Sequence, residues 1–145
     1  MAITTAMCNS FKQELLGGVH DLDTHTLKIA LIKPSMSGTY GAATTNYSDV
    51  TGNSDEATGT GYSAGGQTLD SASISLSGTT AFLDFADEVF STLTLSARGA
   101  IIYNSSASNK AIAVFDFGST VTATNGDFTV VFPTADASNA VIRIT

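Results

Sequence analysis

The side chains able to do chemistry in this sequence lie in a few short segments. His20-Asp21-Leu22-Asp23-Thr24-His25 holds both histidines of the chain with two aspartates between them, donor types that suit a divalent transition metal. The spacing matches no standard zinc or calcium signature, and the segment follows a helix stop, so it reads as a solvated polar connector. Adjacent carboxylates occur at Asp55-Glu56 and Asp87-Glu88. A glycosidase needs two carboxyls held across a cleft, and nothing in the sequence sets such a pair opposite each other. Asp84 in Phe82-Leu83-Asp84-Phe85 and Asp116 in Phe115-Asp116-Phe117 alternate away from their aromatic neighbours, so they are expected to face solvent or a basic residue at a subunit contact. Gly59-Thr60-Gly61-Tyr62-Ser63-Ala64-Gly65-Gly66 is glycine-dense. It lacks the preceding strand, following helix and lysine of a phosphate-cradling loop, and reads as turn or bulge geometry. The single cysteine, Cys8, excludes an intrachain disulfide and reads as a small buried hydrophobe near a helix start. No catalytic, cofactor-binding or metal-binding residue is assigned, and the chain reads as a non-enzyme.

Composition narrows the class further. The chain has 145 residues, charged residues are 13%, hydrophobic residues 43%, and the net charge is −7. One domain of this size buries a real core, and no charge-rich or proline-rich linker divides it. The hydrophobic content is too high for disorder. Lys12, Lys28, Lys33, Arg98, Lys110 and Arg143 are scattered, so no basic patch is available for nucleic acid, and an anionic membrane surface would repel the chain. No apolar run is long enough for a membrane helix. The start Met1–Met7 lacks the basic and apolar regions of a signal peptide, so synthesis in a cytoplasm is expected.

The elements follow from periodicity. Ser10-Phe11-Lys12-Gln13 fits a capping box, and Met7, Phe11 and Leu15 form one stripe. Gly17-Gly18 closes a short helix over about 9–17. It is expected to pack across one end of the β core or on a neighbouring subunit. Leu27–Lys33 alternates as a strand up to Pro34. A loop rich in Gly, Ser, Thr and Tyr runs over about 35–66, with Gly61–Ala64 a possible edge strand. Short strands then recur: 67–69, 73–77, 80–85, 91–97, 100–105, 111–117, 127–132 and 140–145. Turns are expected at Ser77-Gly78, Arg98-Gly99, Ser108-Asn109 and Asn125-Gly126, the last a hairpin signal. Phe82, Phe90, Phe115, Phe117, Phe128 and Phe132 are expected in the core. The pattern predicts a single all-β domain, an antiparallel β-sandwich or jelly roll with one N-terminal helix.

Three blocks carry a family resemblance. Ala6-Met7-Cys8-Asn9-Ser10-Phe11-Lys12-Gln13-Glu14-Leu15-Leu16, the glycine-dense block 59–66, and Ala97-Arg98-Gly99-Ala100-Ile101-Ile102-Tyr103-Asn104 through Ala111 resemble small structural proteins encoded in tailed-phage and prophage genomes. Gly126-Asp127-Phe128 and Ala135–Ala140 belong to the same pattern; residues 35–58 are the least alike. The resemblance implies a virion location after synthesis in the host bacterial cytoplasm, and brings no catalytic residue with it. The expected role is a capsid decoration or cement protein that contacts the major capsid protein. Alternatives are a tail, neck or fibre-associated module, and a carbohydrate- or receptor-binding sandwich, although no Trp exists to stack on sugars. A homo-oligomer is expected, a trimer on the head or a hexamer or dodecamer in the tail. Met7, Phe11, Leu15, Tyr40, Tyr47 and Tyr62 are its candidate subunit-contact residues.

Overall fold

A computed structural model describes residues 2–145. Strands make up 47% of the chain and helix 11%, which places it in the all-β class. In chain order the elements are β1 (Ala2–Ile3), β2 (Ala6–Met7), α1 (Asn9–Leu16), β3 (Leu27–Ile32), β4 (Thr39–Tyr40), α2 (Ser48–Gly52), β5 (Gln67–Thr68), β6 (Ser73–Ser77), β7 (Thr80–Asp84), β8 (Glu88–Asn104), a 3-10 turn (Ser105–Ala107), β9 (Lys110–Val130) and β10 (Ile142–Ile144). The main sheet is antiparallel in the order β2-β9-β8-β3-β5. A second antiparallel sheet has the order β10-β7-β6, and β1 pairs with β4 in parallel. One continuous hydrophobic core contains residues of both larger sheets, including Ile102, Phe90, Leu83 and Ile142.

The hairpin of β8 and β9 is the spine. From Ala97 to Asn104, β8 is buried on nearly every residue, because this half is covered on both faces. Asn104 meets His20, whose ring lies edge-on to Phe11 of α1 with centroids 5.0 Å apart. Its neighbour Tyr103 points the opposite way, as alternation requires, and stacks on Tyr47 with centroids 4.4 Å apart. In the other half, Glu88 to Ser96 shows an interrupted alternation of buried and exposed residues, the signature of a sheet with one wet face.

This spine corrects the strand and turn boundaries. The expected strands 91–97 and 100–105 merge into β8, which ends at Asn104, and 111–117 and 127–132 merge into β9, which ends at Val130. Gly99 lies inside β8 at a register shift, where an added Cβ would collide with the Phe115 carbonyl and the Ile3 side chain. The glycine marks a close approach of chains rather than a turn. Asn125, with φ of 48°, sits within β9 near further register shifts opposite Phe90, Leu93 and Leu95. Asn125-Gly126 is therefore part of an irregular, bulged stretch and not a hairpin, since β9 stays paired to β8 on both sides of it. The real hairpin turn is at Ser108 and Asn109, both left-handed, and Ser77-Gly78 joins β6 to β7.

Helix α1 starts by a different device from a capping box. Cys8 is the N-cap and no side chain caps the helix; Ser10 Oγ is buried without a partner. The start is set by the backbone instead: Cys8 N–H donates to Ile112 O and Asn9 N–H to Ala42 O. Gly18, with φ of 73°, ends the helix as the glycine pair predicts. Gly61–Ala64 is a turn rather than a strand, and β5 takes the sheet edge. Phe11 is fully buried in its own chain and α1 packs on β9, so the helix belongs to this domain's core. Phe11→Ala is expected to cost about 3–5 kcal/mol of unfolding free energy in chemical denaturation of the isolated chain; a loss below about 1 kcal/mol would place the helix outside the core.

Candidate functional site

The adjacent carboxylates Asp55 and Glu56 come together with the tyrosines of the long loop. Asp55 is fully buried. It accepts from Ser37 N–H at 2.9 Å, Gly38 N–H at 2.7 Å, Ser37 Oγ–H at 3.1 Å and Tyr40 O–H at 2.6 Å, and pairs with Lys33 at 3.2 Å. Burial pushes its pKa up, but the bonds from Tyr40, Gly38, Ser37 and Lys33 outweigh it and hold the carboxyl far below the usual range. Glu56 accepts from the Tyr47 hydroxyl, from Tyr62 O–H at 2.8 Å and from Gly65 N–H at 2.7 Å. Tyr62 O also accepts from Leu31 N–H at 3.0 Å, and Ile32 bridges to Glu56. These two carboxylates fasten residues 33–66 over one face of the main sheet. Burial raises the pKa of Tyr40 to about 12, so its hydroxyl remains a donor.

The histidines meet across a single amide. Asn104 is fully buried, and its Oδ1 accepts from Ala107 N–H, which turns its Nδ2 toward the rings. That nitrogen lies 3.0 Å from His20 Nδ1 and 2.9 Å from His25 Nδ1. Both Nδ1 atoms accept, so the proton of each neutral ring sits on Nε2. His20 Nε2–H then donates to Glu14 at 2.9 Å, and Lys110 closes the chain on the other Glu14 oxygen at 2.7 Å. The expected solvated connector is thus half-buried structure, joining α1, β8 and β9. Among the described residues no group of three or more His, Cys, Asp or Glu is placed to hold a metal. Cys8 is buried, and desolvation pushes its thiol up to about 12, which keeps it protonated and inert.

The remaining polar candidates are structural as well. Asp116 pairs within the chain to Arg98 Nε at 2.7 Å, and Asp87 accepts from Phe132 N–H at 2.9 Å. Asp84 is half-buried on β7. Glu88 has a raised pKa, from burial and then from Asp70. Gly61-Tyr62-Ser63-Ala64-Gly65 carries the Gly-x-Ser-x-Gly spacing of a nucleophile elbow. The segment is a turn, not a strand entering a helix, and both histidines are bonded to Asn104 instead.

Of the candidate contact residues, Phe11 and Tyr40 are buried in this chain's own core, while Met7, Leu15, Tyr47 and Tyr62 are half-buried against it. The tyrosine hydroxyls are engaged by Asp55 and Glu56, which leaves them little to offer a sugar. Two open surfaces remain. An open groove of about 310 Å3 on the outer half of the hairpin is lined by Phe117, Val121, Ala123, Asp127, Phe128 and Val130. The other joins α1 to the small sheet, where Met7, Leu15, Leu16 and Ile144 line one depression and Leu22, Ile74 and Ile144 another. Leu16 is 93% exposed, Leu76 72%, Ile74 53% and Ile144 50%. These residues escaped the sequence reading; Ile74 and Leu76 alternate with serines, a pattern equally consistent with a buried face. Comparison with family models, curated proteins and solved structures returned no match.

Asp55→Asn would set an amide N–H2 against a ring of donors, with an expected cost of about 3 kcal/mol at neutral pH. The folded carboxyl titrates below its unfolded value of about 3.9. Its stabilisation is therefore complete above that value and is lost as pH falls toward the lower folded one. The gap in melting temperature between wild type and Asp55→Asn should narrow steadily as pH falls from about 4 toward 2; a gap independent of pH would refute the ionic anchor.

Proposed function

We propose that this chain is a structural component of a tailed-phage virion, a capsid decoration protein that stabilises the head through contacts with the major capsid protein and with its own copies. The observation that carries the reading is the bare row of large aliphatics on α1 and the small sheet, Leu16, Ile74, Leu76 and Ile144. A soluble monomer rarely leaves so many together; such a patch marks a contact surface. The side chains best suited to catalysis support the same reading, because Asp55, Glu56, Glu14, His20 and Asp116 are all spent on holding the fold. The low charge and Ser/Thr-rich surface suit close packing of many copies, and modest contacts suffice when an oligomer engages several sites at once. The resemblance of the helix and hairpin blocks to phage virion proteins adds the location.

The test is a reconstruction of the intact particle that locates this chain. Copies spread over the head lattice, with the α1 and small-sheet surface in contact, are expected. Copies confined to the neck or tail would replace decoration by the adaptor role, and absence from the particle would remove the virion reading.

A further inference from the structure

We propose that strand β6 is a self-pairing edge: two copies of this chain join β6 to β6, antiparallel about a two-fold axis at Ser75, and merge their small sheets into one. The inference goes beyond the virion reading, since it concerns the isolated chain and is tested without a particle.

Strand β6 is the outer strand of the order β10-β7-β6, and all five of its residues are exposed. Among the described residues no backbone hydrogen bond or bridge reaches it from any strand other than β7. Such an edge is a ready template for another strand, and proteins that must stay apart blunt it with charge, proline or a bulge. Ser73-Ile74-Ser75-Leu76-Ser77 has no charge and no proline, and its pairing with β7 is regular over all five residues.

The register decides what the edge carries. Ile74 pairs with Leu83, which pairs in turn with Ile142, and Leu76 pairs with Ala81, which pairs in turn with Ile144. All six share one face, because paired residues point the same way. Leu83 and Ile142 are already covered, whereas Ile74, Leu76 and Ile144 are not. A strand added at β6 extends this face and sets new side chains beside Ile74 and Leu76; Ile144 lies on the far edge strand, β10.

The strip's neutrality permits a second copy, and its pattern selects one. The chain carries thirteen carboxylates against six lysines and arginines, so two copies repel through most of their surfaces. The β6 strip is neutral, and it holds nothing that would select a strongly charged partner. Its pattern also reads the same from both ends. With Ser75 opposite Ser75, antiparallel pairing sets Ile74 against Leu76 of the second copy and serine against serine, so every cross-strand pair matches in character. A contact of one patch with itself closes at two copies and does not propagate.

The test is analytical ultracentrifugation of the purified chain over a range of concentrations. Wild type is expected to dimerise. Leu76→Lys and Ile74→Glu, each at an exposed site, should separately weaken the dimer by about tenfold or more, with circular dichroism and melting of the monomer unchanged. Because residue 74 faces residue 76 across the axis, an equimolar mixture of the two variants should restore dimers that neither forms alone. Ser75→Lys, on the polar face at the axis, provides an independent disruption if either aliphatic site proves necessary for folding. A wild type that stays monomeric at high concentration, variants that still dimerise, or a mixture that fails to pair would each overturn the proposal.

Discussion

The carboxylate of Asp55 is the interaction on which the loop side of this domain depends. A buried charge is tolerated only when hydrogen bonds and a counter-charge replace its lost water. Here Ser37, Gly38, Tyr40 and Lys33 do so at once. All of them lie within residues 33–55, so satisfying one carboxylate folds that segment back on itself. Glu56 continues the arrangement by gathering Tyr47, Tyr62 and Gly65. The loop that results is an ordered layer over Tyr103 and the central strands, and it contains β4 and α2 rather than irregular chain alone.

The opposite face is held by a smaller polar device. One amide, Asn104, divides its two N–H groups between His20 and His25, and Glu14 receives His20 and Lys110. Both faces of the inner half of the β8–β9 hairpin are thereby covered. The outer half lacks a cover on one face, and its strands bend through register shifts near Thr92 and Asn125, both with positive φ. The groove lined by Phe117 and Phe128 lies on this half.

This use of polar groups bears directly on function. A chain poor in charge has committed its well-placed acids, histidines and tyrosines to internal anchoring. What it presents outward includes serine, threonine and uncovered aliphatic surface, on α1 and the small sheet and at Val121 in β9 and Val131 just beyond it. That distribution suits a protein whose work is contact with other subunits, where area and shape complementarity matter more than a reactive group.

Local pattern alone determined a good deal. Alternation located β3, β6 and β7, the glycine pair ended α1, and the phenylalanines of the hairpin fell where a packed sheet needs them. Each depends on neighbours within a few residues, which a sequence displays directly. The tertiary structure alone decided which turn signals were real. Arg98-Gly99 and Asn125-Gly126 lie inside long strands because a partner strand continues past both, and pairing over that length outweighs local turn preference. It also decided that Asp55, Glu56 and Asn104 are buried anchors. Asn104 lies 84 residues from His20 and 79 from His25, Asp55 lies 15 to 18 from Tyr40, Gly38 and Ser37, and Glu56 lies 6 to 9 from its partners across an irregular loop; no helix or strand period connects groups at these separations. The bare face of β6 belongs to the same class: whether an alternating strand is covered depends on what the rest of the chain leaves beside it.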